Sequence, residues 1–126
     1  MYLYFCLKSK KKMTEENKLK KSWEEVQQEV SAKFGGGETL DVDSIIFLIG
    51  IQELGKGFKN YSKDEKLNIM HIAICRLLEP FGYYEFDFYD EEGWPHYKTL
   101  DELPQLKPGE QTVLMKEAIV MYFEKE

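Results

Sequence analysis

His71, Cys75 and Glu79 recur at intervals of four, so on a helix they fall along one face. Imidazole, thiolate and carboxylate all bind metals, and i, i+4 is the spacing that zinc-binding helices use. A structural zinc site needs four ligands, and the chain's only other histidine is His96. His71 and Cys75 also border an apolar helical stripe, where an unpaired Cys behaves as a small buried hydrophobe. The three stay metal candidates. The plainer account, a satisfied core histidine beside a buried thiol, is the expectation, and no cofactor is expected.

Other chemistry is thinner. Glu85, Asp87, Asp90, Glu91 and Glu92 could supply an acid–base pair. Such work needs one carboxyl with a raised pKa in an apolar pocket, whereas these sit on a strand's polar face and in a turn. Asp41-Val42-Asp43-Ser44 opens like a calcium loop, but Ile46 and Gln52 stand where that loop needs Gly and Glu. Gly55-Lys56-Gly57 lacks the Gly-Lys-Ser/Thr ending of a phosphate loop and follows a helix C-terminus. No nucleophile elbow and no Cys at a helix start is recognisable. Nothing positive therefore supports an enzyme.

The least ordinary stretch is aromatic and acidic. Tyr83, Tyr84, Phe86, Phe88, Tyr89, Trp94, His96 and Tyr97 crowd together, and residues 83–102 carry seven acids against Lys98 alone. Aromatic rings with polar tips are enriched at protein interfaces, and an edge strand invites strand addition by a partner. Tyr84, Tyr89, Trp94, His96 and Tyr97 are the expected interaction residues. They would serve a small interaction module whose partner is an unidentified protein or peptide, a second copy included. Acidity favours a basic partner. The plainer account is that half of these rings cover the helices and the acids keep the edge soluble. The alternative function is a small enzyme or ligand-binding protein with a pocket between helices and hairpin, using His71, His96, Tyr84 and Glu53. A third is a structural subunit that oligomerises through Met115, Ile119 and Phe123.

The elements that must position these residues can be read in order. Residues 1–12 form a tail set apart from a single domain over 13–126. The tail is either disordered or a mis-assigned start, with Met13 opening the protein. Its apolar run precedes its lysines, the reverse of a signal peptide. A helix is expected from the N-cap Thr14, with Leu19, Trp23, Val26, Val30 and Phe34 as its inner stripe, ending at Gly35-Gly36-Gly37. Asp41 to Leu54 follows, apolar on every side over Ile45–Ile51 except at Gly50, so it should be covered on every side. Gly50 should admit the next helix closely. Ser62-Lys63-Asp64-Glu65 is a capping box, opening a helix to about Glu79 with Leu67, Met70, Ile74, Leu77 and Leu78 inward. Period-two alternation then predicts a half-buried strand over 83–89 with Tyr84, Phe86 and Phe88 on the covered face. A turn at 90–93 leads to an edge strand containing Pro95. Leu100 to Leu103 reads as one helical turn, and a last helix starts near Glu110. The fold class is α+β and mostly helical. About four helices pack around a central apolar helix (41–54), with one β-hairpin (83–98) between helices 3 and 4.

Composition limits the partners. The formal charge is −6, and the four lysines among residues 1–12 leave the remainder more acidic still. Arg76 is the single arginine. Such a body repels phosphate backbones, so no nucleic acid is expected. No apolar run approaches the roughly 20 residues of a membrane helix, so no integral membrane segment is expected either. Two cysteines, Cys6 and Cys75, are no disulfide framework and fit a reducing, cytoplasmic setting.

Overall fold

The computed structural model describes residues 2–100 and 105–124, with side chains from residue 17 onward. Four helices and one hairpin follow in the expected order, an α+β and mostly helical fold. The helix turn expected at Leu100 to Leu103 falls largely outside the described residues, as do the side chains of the 1–12 tail.

The first helix, α1 (Tyr2–Phe34), does not begin at Thr14. Neither Gly nor Pro interrupts residues 2–34, and lysines are good helix formers, so no local signal stops the helix from extending toward Tyr2. Trp23 and Val30 are buried on its inner face, with Leu19 and Val26 partly so. Phe34, expected inward, is exposed. The chain folds back one residue later: Gly35 N–H donates to Ser31 O at 2.8 Å. Leu40 N–H donates to Ser31 Oγ at 2.9 Å, and Gln27 Nε2 donates to Leu40 O at 2.7 Å. The returning loop takes that side of the last turn, and Phe34 leans instead on Phe58, ring centroids 6.1 Å apart.

Of the two acids at the start of α2 (Val42–Leu54), Asp41 is the N-cap and Asp43 lies in the first turn. The Asp41 side chain accepts from Ser44 N–H, and left-handed Gly55 donates to Ile51 O. That Ser44 hydrogen bond holds the Asp41 carboxyl below its usual range. Ile45, Ile46, Ile49, Gly50, Ile51 and Leu54 are buried. The helix feeds two apolar clusters. Ile45, Ile46 and Ile49 join Trp23, Leu77 and Ile119, while Ile51 and Leu54 join Tyr61 and Ile69. Each fully buried Ile contributes about 1.5–3 kcal/mol, so α2 is the centre that its composition implied. Gly50 meets α3 as expected: a β-carbon there would lie 2.4 Å from Ile69 O.

α3 (Lys63–Leu78) opens with the complete capping box, Ser62 and Glu65 bonding each other's backbone N–H. Its inner face is turned from the expected stripe. Ile69, Ile72, Ala73, Cys75, Leu77 and Leu78 are buried, whereas Leu67 is exposed and Met70 and Ile74 only partly covered. The close approach at Gly50 brings Ile69 against α2 and turns Leu67 away. A single 3-10 turn, Glu79–Phe81, then reaches left-handed Gly82. α4 (Pro108–Glu124) starts slightly earlier than Glu110 and buries Ala118, Ile119, Val120 and Tyr122. Ile119 is fully covered, and Met115 and Phe123 pack partly against the first cluster.

Candidate interaction surface

The hairpin consists of β1 (Tyr84–Tyr89) and β2 (Pro95–Thr99), paired antiparallel between α3 and α4. Asp90 builds its turn. Asp90 Oδ1 accepts from Glu92 N–H at 3.0 Å and Trp94 N–H at 2.9 Å, while Oδ2 accepts from His96 Nε2 at 2.9 Å. The His96 bond, with those from the two backbone amides, holds the Asp90 carboxyl below its usual range. Left-handed Gly93 closes the turn through its N–H to Asp90 O.

The strand faces differ from simple alternation. Register slips between Phe86 and Phe88, so Phe86 opposes Tyr97 but Phe88 opposes His96. An extra residue in one strand carries every later side chain to the other face. In β2, Pro95 is buried and Tyr97 half-buried, while His96 and Lys98 are exposed. Phe88 therefore joins the solvent face, its ring stacked on His96 at 4.7 Å and 5°. Tyr89 takes the face of Phe86 and Tyr97, its centroid 4.9 Å from that of Phe86, yet stays exposed. The expected half-buried strand is thus a correction: beyond Tyr84, all of β1 is exposed. Phe86, Phe88 and Tyr89 are 39%, 50% and 64% exposed. Phe86 and Phe88 were absent from the interaction residues expected from sequence, because alternation alone placed both on the covered face. Asp87 between them carries no local signal of the slip.

The hairpin is held at several points. Trp94 packs half-buried on the second cluster, with Lys56 Nζ 5.6 Å from its ring centroid. The same ammonium donates to the Glu92 carbonyl. Glu79 Oε2 accepts from Phe86 N–H at 3.0 Å. That amide points away from β2, so Glu79 closes part of β1's outer edge and strand addition has no free donor there. Glu85 pairs with Lys98 across the solvent face at 3.4 Å.

Of the residues singled out, Tyr89 and His96 are exposed, and Tyr84, Trp94 and Tyr97 are half-buried. Burial chiefly, then the Glu53 and Glu79 charges, pushes the Tyr97 hydroxyl up to about 12. Tyr84 is also raised by burial and sits edge-on to His71 at 6.3 Å. His71 is exposed rather than in the core, because α3 turns its Ile72 and Cys75 side inward. Its Nε2 lies 3.5 Å from Cys75 Sγ, whose thiol burial pushes up to about 11. Glu79 is turned to Phe86, and among the described residues no group of three His, Cys, Asp or Glu could hold a metal ion.

A groove of about 300 Å³ runs between α3 and the hairpin, lined by His71, Trp94, His96, Tyr97, Asp90 and Glu65 among others. Both histidines meet there. Glu53 does not. It accepts from Tyr122 Oη at 2.7 Å and pairs with Arg76 Nε at 3.4 Å, which gives its charge a structural role. A more apolar groove of about 500 Å³ lies between α1 and α2, lined by Val26, Phe34, Leu48, Phe58 and Phe123 among others. Among the described residues no helix is long and apolar enough to cross a membrane. Compared with known proteins, the chain matches no family model, no curated protein and no solved structure.

Proposed function

We propose that this chain is a protein- or peptide-interaction module of a reducing, cytoplasmic setting, and that its hairpin is the binding element. One observation carries the reading. Three large aromatic side chains of β1 stand in solvent on a hairpin fixed by Trp94, Lys56, Asp90 and Glu79. Exposed rings on a rigid support match what interface cores use, large contact area at small loss of side-chain freedom. The residues expected from sequence divide into two roles. Tyr89 and His96, with Phe86 and Phe88, are offered to a partner, while Trp94 and Tyr97 anchor. The test compares immobilised wild-type chain with Phe88→Ala/Tyr89→Ala in affinity capture from the source cells, quantified by mass spectrometry. Proteins retained by the wild type and lost by the variant support the reading. Identical sets, with unchanged circular dichroism, overturn it.

The groove shared by His71 and His96 favours a second reading, a small ligand-binding protein. Ring-proton NMR signals of the two histidines that move together with a compound, and fail to move in Trp94→Phe, would support it. No such compound in a fragment screen overturns it.

A further inference from the structure

The charges around the exposed rings narrow the partner. Asp87, Glu91 and Glu92 are exposed and flank Phe88 and Tyr89. Of the neighbouring acids, Glu85 pairs with Lys98 and Asp90 is hydrogen-bonded to His96 and to the turn amides. Among the described residues, no ion pair involves the carboxylates of Asp87, Glu91 or Glu92. Lys56 reaches the hairpin, yet it donates to the Glu92 carbonyl and lies over Trp94.

Resting on the interaction reading, we propose that the hairpin's partner is a lysine- or arginine-bearing peptide segment, bound through its side chains. A purely apolar partner would strip water from three carboxylates and leave them unpaired, which opposes binding. Anionic partners are repelled. A basic segment meets both needs at once: its cationic heads pair with Asp87, Glu91 and Glu92, and its aliphatic stems lie on Phe88 and Tyr89. The chain uses the same pairing internally, with Lys56 over Trp94, Arg76 over Tyr122 and Lys116 over Trp23 at 5.3–5.6 Å. Recognition by side chains also fits β1, since Glu79 already occupies the outward N–H of Phe86.

The test is a printed array of random nonapeptides probed with the labelled full chain, its Phe88→Ala/Tyr89→Ala variant and its Asp87→Asn/Glu91→Gln/Glu92→Gln variant. All the substituted residues are exposed, and circular dichroism confirms each fold. Wild-type hits should be enriched in Lys and Arg and depleted in Asp and Glu. The charge variant should lose about tenfold in affinity for them, with a flatter salt dependence. Hits lost in the aromatic variant but without basic bias overturn the basic partner and leave the hairpin reading standing. Hits indifferent to the aromatic variant, or no hits at all, overturn both. Self-association that buries the hairpin overturns the proposal as well.

Discussion

Gly50 and Ile69 meet without room for a side chain: a β-carbon on residue 50 would lie 2.4 Å from the Ile69 carbonyl oxygen and 2.6 Å from its Cγ2. The nearest atom is backbone, so α2 and α3 would have to part. Gly50→Ala should destabilise the fold by about 2 kcal/mol or more, because overpacking outweighs the roughly 1 kcal/mol that Ala gains in helix propensity. Urea unfolding measures it. A variant as stable as the wild type would show that the two helices are not in this contact.

Glu53, Arg76 and Tyr122 join α2, α3 and α4. Besides the bonds to Glu53, the Arg76 guanidinium lies 5.3 Å from the Tyr122 ring centroid. Tyr122→Phe should cost about 1 kcal/mol. In a double-mutant cycle with Glu53→Gln, the two losses should fall short of additivity by about 0.5 kcal/mol or more. Additive losses would mean that the hydroxyl and carboxylate do not act on each other.

Trp94 and the Phe88–Tyr89 pair should separate cleanly. Trp94→Ala removes a ring packed against the second apolar cluster and should cost about 2 kcal/mol or more. Phe88→Ala and Tyr89→Ala act on exposed rings and should each stay within about 0.5 kcal/mol. Thermal unfolding distinguishes them, and equal losses at all three would contradict the division into anchor and presented rings.

Acid should loosen the hairpin through Asp90. Its carboxyl is held down by His96 and the turn amides, so its folded pKa lies below its unfolded one. That contribution is present above the unfolded value of about 3.9 and is lost as pH falls through the lower folded value. Asp41 and Glu65 are lowered too, so the wild type should lose stability on acidification in that range. Asp90→Asn should lose it less steeply. Trp94 fluorescence followed from pH 6 to 2 in a Trp23→Phe background reads the difference, and parallel profiles would remove Asp90 from the linkage.

Cys75 should be inert while the protein is folded. Its side chain is fully buried and its thiol is pushed up to about 11, so little thiolate exists to react. In a Cys6→Ser background, a disulfide-exchange reagent at pH 8 should label it slowly, and rapidly once denaturant is added. Fast labelling of the native protein would show that α3 opens.

Several features were legible because their causes are local. The Ser62–Glu65 box and the chain reversal at Gly35 each involve residues a few positions apart, and such signals act before any core forms. The all-round apolar composition of Ile45–Ile51 required covering whatever the partners were, so α2 could be placed at the centre. Gly50 could be matched to its neighbour because a glycine inside a buried helix has few other uses.

What stayed hidden depends on which distant element arrives. Periodicity marks a helical face only to within a turn, so the contact of Gly50 with Ile69 decided that Ile69 and Ala73, not Leu67, face inward on α3. The same rotation left His71 outside. The slip near Asp87 decided which face of the hairpin Phe88 and Tyr89 take, since strand sidedness has period two and one extra residue reverses it. Glu79's hold on the Phe86 amide and Lys56's hold on the turn join residues brought together only by folding. Composition by itself determined that an acidic, aromatic hairpin would exist. Tertiary structure decided that Trp94 would anchor it, that Phe88 would cross to the His96 face, and that Phe86 and Tyr89 would stay exposed on the Tyr97 face, because sidedness is a property of packing partners and not of the strand alone.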